Sequence, residues 1–227
     1  MSNEISNSSV GRKFLMAISG FFLMFFLVQH LAINSLSVIS PETFNEVSHF
    51  MGTNPLIQFF LQPLLIFGVI FHLLMGMYLD RKNRSARPIG YAMDKPNENS
   101  NWMSRNMIIT GTTILLFIGL HFYDFWIPEI NTKFVKGDWT GMHDGQYRYW
   151  EELHHKFHDL WRVIIYCVSF VFLALHLLHG FQSAFQSAGF NSTKYSPIIK
   201  KLSNMYAIFI PLGFIVIALF HHITYLT

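Results

Sequence analysis

The sequence predicts an all-α integral membrane protein of five transmembrane helices, the first four forming an up-down bundle. Three observations carry that prediction. The chain of 227 residues is 52% hydrophobic and 13% charged, about half the charged share of a typical soluble domain. Five apolar runs are long enough to cross a bilayer, which takes about 20 helical residues. Four of these runs hold a histidine at depth: VQHLAIN (His30), IFHLLMG (His72), IGLHFYD (His121) and LALHLLHG (His176). A titratable ring is costly there and is a functional-site candidate by default.

The chain reads as one membrane domain over residues 1–227. A polar start, MSNEISNSSVGRK, precedes a first span at about 14–39. That apolar run is too long for a signal-peptide core, so a retained helix is expected. Further spans are expected at about 55–79, 103–126, 160–188 and 204–225. The link over 40–54 carries no Lys or Arg. The next carries Arg81, Lys82, Arg84, Arg87, Lys95 and Arg105, and the last carries Lys194, Lys200 and Lys201. With Arg12 and Lys13 these make eleven basic residues on one side. At most five lie on the other: Lys133, Lys136, Arg148, Lys156 and Arg162. The positive-inside rule then puts the N-terminus in the cytoplasm and the C-terminus outside a cytoplasmic (inner) membrane. The long outer link over 127–159 holds Trp139, Tyr147, Tyr149 and Trp150, and a short interfacial segment is expected around 149–157.

The net charge of +3 and pI near 9.0 therefore report topology in lipid, with no nucleic-acid partner implied. A lone cysteine, Cys167, excludes internal disulfides and cysteine-ligated zinc or iron–sulfur sites. The C-x-x-C-H signature of covalent haem attachment is absent as well.

Depth arithmetic sorts the histidines. His30 lies 17 residues beyond Lys13 and His121 lies 18 beyond Met103. At about 1.5 Å of rise per residue, both fall near the outer side. His72 lies 17 residues beyond Pro55 and His176 lies 18 beyond His158, near the inner side. Alternate helices of an up-down bundle run parallel and face each other across the core. The expectation is an outer pair, His30 and His121, and an inner pair, His72 and His176. Spans two and four also share H-L-L-x-G, ending at Gly76 and Gly180, while Gly20 and Gly111 each precede a histidine by ten residues. A glycine removes a side chain and lets a flat macrocycle approach the backbone. Two histidine pairs with matched glycine gaps suit two bis-histidine b-type haems, held by axial ligands and packing. The second ring nitrogen of each ligand should meet a carbonyl or hydroxyl that fixes the tautomer. Iron ligated on both sides carries electrons and binds no oxygen. Helix rise and bilayer thickness put the two irons roughly 15 Å apart.

The H-L-L-x-G repeat selects His176 over His179 as ligand. His154, His155 and His158 form an HHxxH cluster read as interfacial, as are His221 and His222 at the outer end of span five. Glu46 and His49, in the first outer link, are candidates to line a quinone site. Arg12, Lys13, Lys156 and Arg162 sit at the layer ends, where haem propionates or lipid phosphates take cations. Two other classes compete. A membrane di-iron desaturase or hydroxylase would draw on His154 and His158, His176 and His179, and His221 and His222, but needs its clusters on one membrane face. A channel or transporter with a histidine proton relay leaves the glycine-matched pairs unexplained.

VQHLAIN, FNEVSHFM, IFHLLMGMY and HGFQSAFQSAGFNSTKYSP, with one histidine per helix, resemble the dihaem cytochrome b membrane subunit of succinate dehydrogenase/fumarate reductase. The nearest group is its b558-type single-anchor form. The resemblance implies that His72 and His176 ligate a proximal haem, near an iron–sulfur subunit, and that His30 and His121 ligate a distal haem. It implies a flavoprotein and an iron–sulfur subunit docked on the cytoplasmic face, over the basic loop at 81–105 and the segment at 195–201. It implies a quinone, of the menaquinone kind, reacting near the distal haem. The chain shows no flavin or dicarboxylate site of its own, so it is expected to act as an electron-transfer subunit of a respiratory oxidoreductase complex. An anchor for another respiratory dehydrogenase, such as hydrogenase or formate dehydrogenase, is the nearest alternative. Ala174 departs from the pattern. Some fumarate reductases carry a glutamate there for proton transfer, and that path is not expected here.

Overall fold

Ser8 starts the first helix by accepting the Gly11 N–H on its side chain at 2.9 Å. The computed structural model describes residues 8–85, 106–190 and 192–226. Helix α1 (Ser9–Ile39) is followed by α2 (Pro41–Thr53), α3 (Ile57–Ser85) and α4 (Met107–Val135). Strands β1 (Met142–His143) and β2 (Gln146–Tyr147) come next, then α5 (Tyr149–Lys156), α6 (Leu160–Ser187) and α7 (Ser196–Leu226). Helices α1, α3, α4, α6 and α7 are long and apolar enough to cross a membrane. Phe25, Phe59, Phe67, Leu116 and Phe209 lie exposed on them, as an apolar lipid-facing surface requires. The all-α membrane fold expected from the sequence is borne out.

The packing follows from which stripe each helix buries. α1, α3, α4 and α6 close a four-helix ring in that order, and α7 lies outside it against α6 and α1. α1 and α4 therefore face each other across one diagonal, and α3 and α6 across the other. α7 buries Ile199, Ser203, Ala207, Ile210, Phe214, Ile217 and His221, a single stripe of helical period. Phe214 and Ile210 join Val163, Tyr166 and Phe170 of α6 in one apolar cluster.

Several expected boundaries are corrected. The link over 40–54 is largely helix α2, with strong start signals. The Ser40 side chain accepts the Thr43 N–H at 3.2 Å, Pro41 occupies the first turn and Glu42 complements the helix dipole. α4 does not stop at 126 but runs to Val135. Pro128 reads as a terminator, yet a π turn over Phe122–Trp126 resets the register. Pro128 then falls in the first turn of a new α segment, where a missing N–H costs little. α3 uses the same device, with a π turn over Ile57–Leu61 ahead of Pro63, and it continues past 79 to Ser85. α1 begins at Ser9 instead of 14, and α7 begins at Ser196 instead of 204 because Pro197 is accommodated in its first turn. The fourth expected span agrees with α6, and the expected interfacial segment is α5. The expected third-span start at 103, with Arg87, Lys95 and Arg105 of the basic loop, lies outside the described residues.

At the end that carries α2 and α5, called outer here, charge ties the elements together. Lys133, near the end of α4, is 1% exposed and pairs with Glu129 at 2.6 Å. It also donates to the Gly52 carbonyl of α2. Glu129 in turn pairs with Arg148, which forks onto both carboxylate oxygens of Glu152 on α5 at 2.7 Å. Burial works against the Arg148 charge, but the two carboxylates outweigh it and hold its pKa above the usual value. An Asp144–Gly145 turn with positive φ at both residues, 51° and 83°, closes the small hairpin between α4 and α5. Replacing Lys133 by Met leaves the Gly52 carbonyl without its lysine donor and takes from Glu129 one of its two cations, the other being Arg148. The expected cost is about 2 kcal/mol, measured as a lower melting temperature of the solubilised full chain. An unchanged melting temperature contradicts the role given to this cap.

Candidate functional site

The four membrane histidines meet as two pairs across the bundle diagonals. His30 of α1 and His121 of α4 place their ring centroids 5.8 Å apart with planes at 61°. His72 of α3 and His176 of α6 are 6.4 Å apart at 66°. Two imidazoles sharing one metal ion, with nitrogen–metal bonds of about 2 Å, put their ring centres about 6 Å apart. Both pairs fit that spacing. The donor set, two imidazoles without thiolate or carboxylate, suits a haem iron bound on both faces.

The glycines border these rings, but not as their spacing suggested. A Cβ on Gly20 would lie 3.7 Å from Cε1 of His72, and one on Gly111 would lie 3.7 Å from Cε1 of His176. Both glycines therefore flank the inner pair, although each precedes an outer histidine by ten residues. Ten residues is about 15 Å of helix rise, enough to move from one layer to the other. A Cβ on Gly76 would lie 3.4 Å from Met16 Cε, and one on Gly180 would lie 3.9 Å from Met107 Cε and 4.0 Å from His176 Cδ2.

Two residues that sequence reasoning missed complete the inner pair. Ser19 Oγ lies 2.9 Å from His72 Nδ1, and Thr110 Oγ1 lies 3.1 Å from His176 Nδ1. Both are buried. A signal for them exists: MAISG at 16–20 and MIITG at 107–111 are one M-x-I-S/T-G word, each with a histidine ten residues past its glycine. In the outer pair, Asn34 Nδ2 lies 3.3 Å from His30 Nδ1 and donates to the His30 carbonyl at 2.8 Å. Phe26 and Phe214 pack on His30, and Phe117, Phe125 and Tyr166 on His121.

The other candidates fall elsewhere. His179 lies outside the inner pair, which His176 forms with His72. His49 stacks on Tyr147 at 4.4 Å and lies 3.4 Å from the Tyr149 hydroxyl, while Glu46 is exposed on the same helix. The contacts of His49 are thus with the hairpin side and not with the outer pair. Arg162 is engaged by Asp124 at 3.1 Å and Asp159 at 2.6 Å, and buried Asp124 also accepts the Tyr166 hydroxyl at 2.9 Å. Arg12 lies over the Tyr78 ring at 5.8 Å, and Lys13 is exposed. His155 and His158 are exposed as expected of an interfacial cluster. Among the described residues, no three His, Cys, Asp or Glu gather to hold a metal ion, so the histidine clusters do not assemble as a di-iron site would need.

His221 corrects the sequence reading. It is fully buried, not interfacial, because the buried stripe of α7 turns it toward α1 and α5. Its Nε2 lies 2.9 Å from Ser37 Oγ and its Nδ1 lies 3.1 Å from His154 Nδ1. Ser37 donates its own proton to the Asn34 carbonyl at 2.6 Å, so it accepts from His221 Nε2–H. With His221 neutral, His154 Nδ1–H donates to its bare Nδ1. Neighbouring His222 donates from Nδ1 to the Phe157 carbonyl at 2.8 Å. Partial burial holds the His154 pKa below the ordinary histidine value. The unfolded chain then takes up this proton at a higher pH than the folded one, so stability falls as pH drops below about 6.5. A His154→Asn variant, which keeps an N–H donor but does not titrate, should reduce the pH dependence of melting in that range. An unaltered dependence contradicts the assignment.

Fold and paired histidines together define a multi-pass all-α membrane protein with two metal-spaced imidazole pairs at two depths. Residues 12–79, which hold His30 and His72, match the family described as succinate dehydrogenase/fumarate reductase transmembrane subunit. The succinate dehydrogenase cytochrome b558 subunit of Bacillus subtilis (strain 168) is 29% identical over 102 residues. That alignment covers 44% of this chain and 46% of the relative, so the chain spans less than half the length of that curated protein. No solved structure matches. The resemblance carried by VQHLAIN and IFHLLMGMY is borne out over the first two spans.

Proposed function

We propose that this chain is the dihaem cytochrome b membrane anchor of a succinate dehydrogenase/fumarate reductase complex. The observation that carries the proposal is the pairing of four histidines at single-metal spacing on two levels. The family match over the spans that supply one member of each pair supports it. In this reading His72 and His176 hold the inner haem b, and His30 and His121 hold the outer. Gly20 and Gly111 keep side chains off the inner rings, Gly76 and Gly180 admit the methionines that pack beside them, and the phenylalanines about the outer pair exclude water. Haem b bound at each depth supplies a one-electron carrier between an iron–sulfur subunit and a quinone of the menaquinone kind.

The remaining assignments follow from the same reading. The chain acts as one membrane domain in an inner membrane, with its N-terminus inside and its C-terminus outside. Arg81, Lys82, Arg84, Lys200 and Lys201 form the cytoplasmic platform for the iron–sulfur and flavoprotein subunits. Glu46 and His49 stay as the outer-side candidates for quinone contact. The chain brings no dicarboxylate chemistry of its own and works within the complex.

Reduced-minus-oxidised spectra and haem quantitation of the purified full chain test this. Two b-type haems per chain are expected. His72→Ala should lose one haem and keep the outer one, while His179→Ala should keep both. Absence of b-type bands refutes the proposal, and co-purification with a nickel or molybdenum protein in place of a flavoprotein refutes the assignment to this complex.

A further inference from the structure

Both histidines of the inner pair have their second ring nitrogen answered by a hydroxyl. Ser19 Oγ gives its one proton to the Met16 carbonyl at 2.8 Å, so toward His72 it can only accept. The 2.9 Å contact is therefore His72 Nδ1–H donating to Ser19. Thr110 Oγ1 likewise gives its proton to the Met107 carbonyl at 3.0 Å, so His176 Nδ1–H donates to it at 3.1 Å. A neutral imidazole carries one proton. With that proton on Nδ1, each inner Nε2 presents a bare lone pair. At the outer pair the polar neighbour of His30 Nδ1 is not a hydroxyl but the Asn34 side-chain amide, 3.3 Å away, whose nitrogen donates to the His30 carbonyl at 2.8 Å.

The inner arrangement is one module used twice. In MAISG and MIITG, the methionine carbonyl takes the hydroxyl proton and the hydroxyl takes the histidine N–H. The glycine presents its bare Cα to the same imidazole, and the methionine side chain lies over the glycine of H-L-L-x-G on the neighbouring helix. α1 serves His72 of α3 in this way, and α4 serves His176 of α6.

We infer that Ser19 and Thr110 are positioning residues of the inner haem site, fixing the Nδ1–H tautomer and the ring plane of His72 and His176. The inference rests on the proposed haem reading. An imidazole that donates from its second nitrogen is a more basic ligand, which favours oxidised iron. The two hydroxyls thereby make the inner site chemically distinct from the outer.

The test uses the full chain in membranes, with Ser19→Ala, Ser19→Thr and Thr110→Val. It reads haem count, redox midpoints and the electron paramagnetic resonance of the ferric low-spin haems, with the inner signals assigned by their loss in His72→Ala. Ser19→Ala and Thr110→Val should each move the inner midpoint to more positive potential and shift the inner resonance as the ring turns. The outer signals should stay in place, and Ser19→Thr should restore the inner ones. Loss of the inner haem alone in Ser19→Ala, with retention in Ser19→Thr, also supports the inference. Unmoved inner signals in both hydroxyl-free variants overturn it, as does equal loss in Ser19→Ala and Ser19→Thr, which would show a need for bulk and not for a hydroxyl. Two haems in the unsubstituted chain with insensitivity to these changes overturn this inference alone. No haem in the unsubstituted chain overturns the haem reading with it.

Discussion

The structure depends on how a histidine is satisfied at bilayer depth. Lipid offers an imidazole no partner, so each ring must find one inside the bundle. Here the rings face one another in pairs across the diagonals, at 5.8 Å in the outer pair and 6.4 Å in the inner, and the inner rings find their hydrogen-bond partners in Ser19 and Thr110. That requirement fixes much else. The helices carrying each pair must be parallel alternates of an up-down ring, and their neighbours must give way where the rings stand. Gly20 and Gly111 yield at the inner pair. At the outer pair the yielding is replaced by a wall of aromatic rings, with Phe214 supplied by α7 from outside the ring of four.

α7 therefore does more than add a fifth crossing. Its buried stripe places Phe214 on His30 and, seven residues on, His221 against Ser37 and His154. This links the outer pair to the cap of α2, the hairpin and α5. The cap itself is held by ions that would be costly if unpaired: Lys133 on Glu129 and Gly52, Arg148 on Glu129 and Glu152, and Arg162 on Asp124 and Asp159. Removing Glu129 takes from buried Lys133 the carboxylate that pairs with it and from Arg148 one of its two, so Glu129 is the hinge of the network at this end.

How legible this was depended on the type of signal. The spans and the two layers follow from apolar length and helix rise alone, and neither is sensitive to tertiary detail. The pairing of His72 with His176 was readable because H-L-L-x-G recurs. Ser19 and Thr110 were not read as part of the site. A hydroxyl in a membrane helix that bonds back to its own backbone looks silent in sequence, and only the fold shows that its remaining lone pairs face a histidine. α2 is short and amphipathic, so apolar length does not reveal it, and its signal is the Ser40-Pro41-Glu42 start. The length of α4 was hidden by Pro128, which a π turn absorbs. His221 was misread because its position near the end of a span suggested water, whereas helical phase turned it inward.

In the proposed function each histidine pair grips one iron. An anomalous-difference map at the iron edge, from crystals of the full chain, tests it most directly. Two peaks are expected, one between His30 and His121 and one between His72 and His176. A single peak, a peak bound by His179 or by the His154–His221 contact, or no peak at all would contradict it.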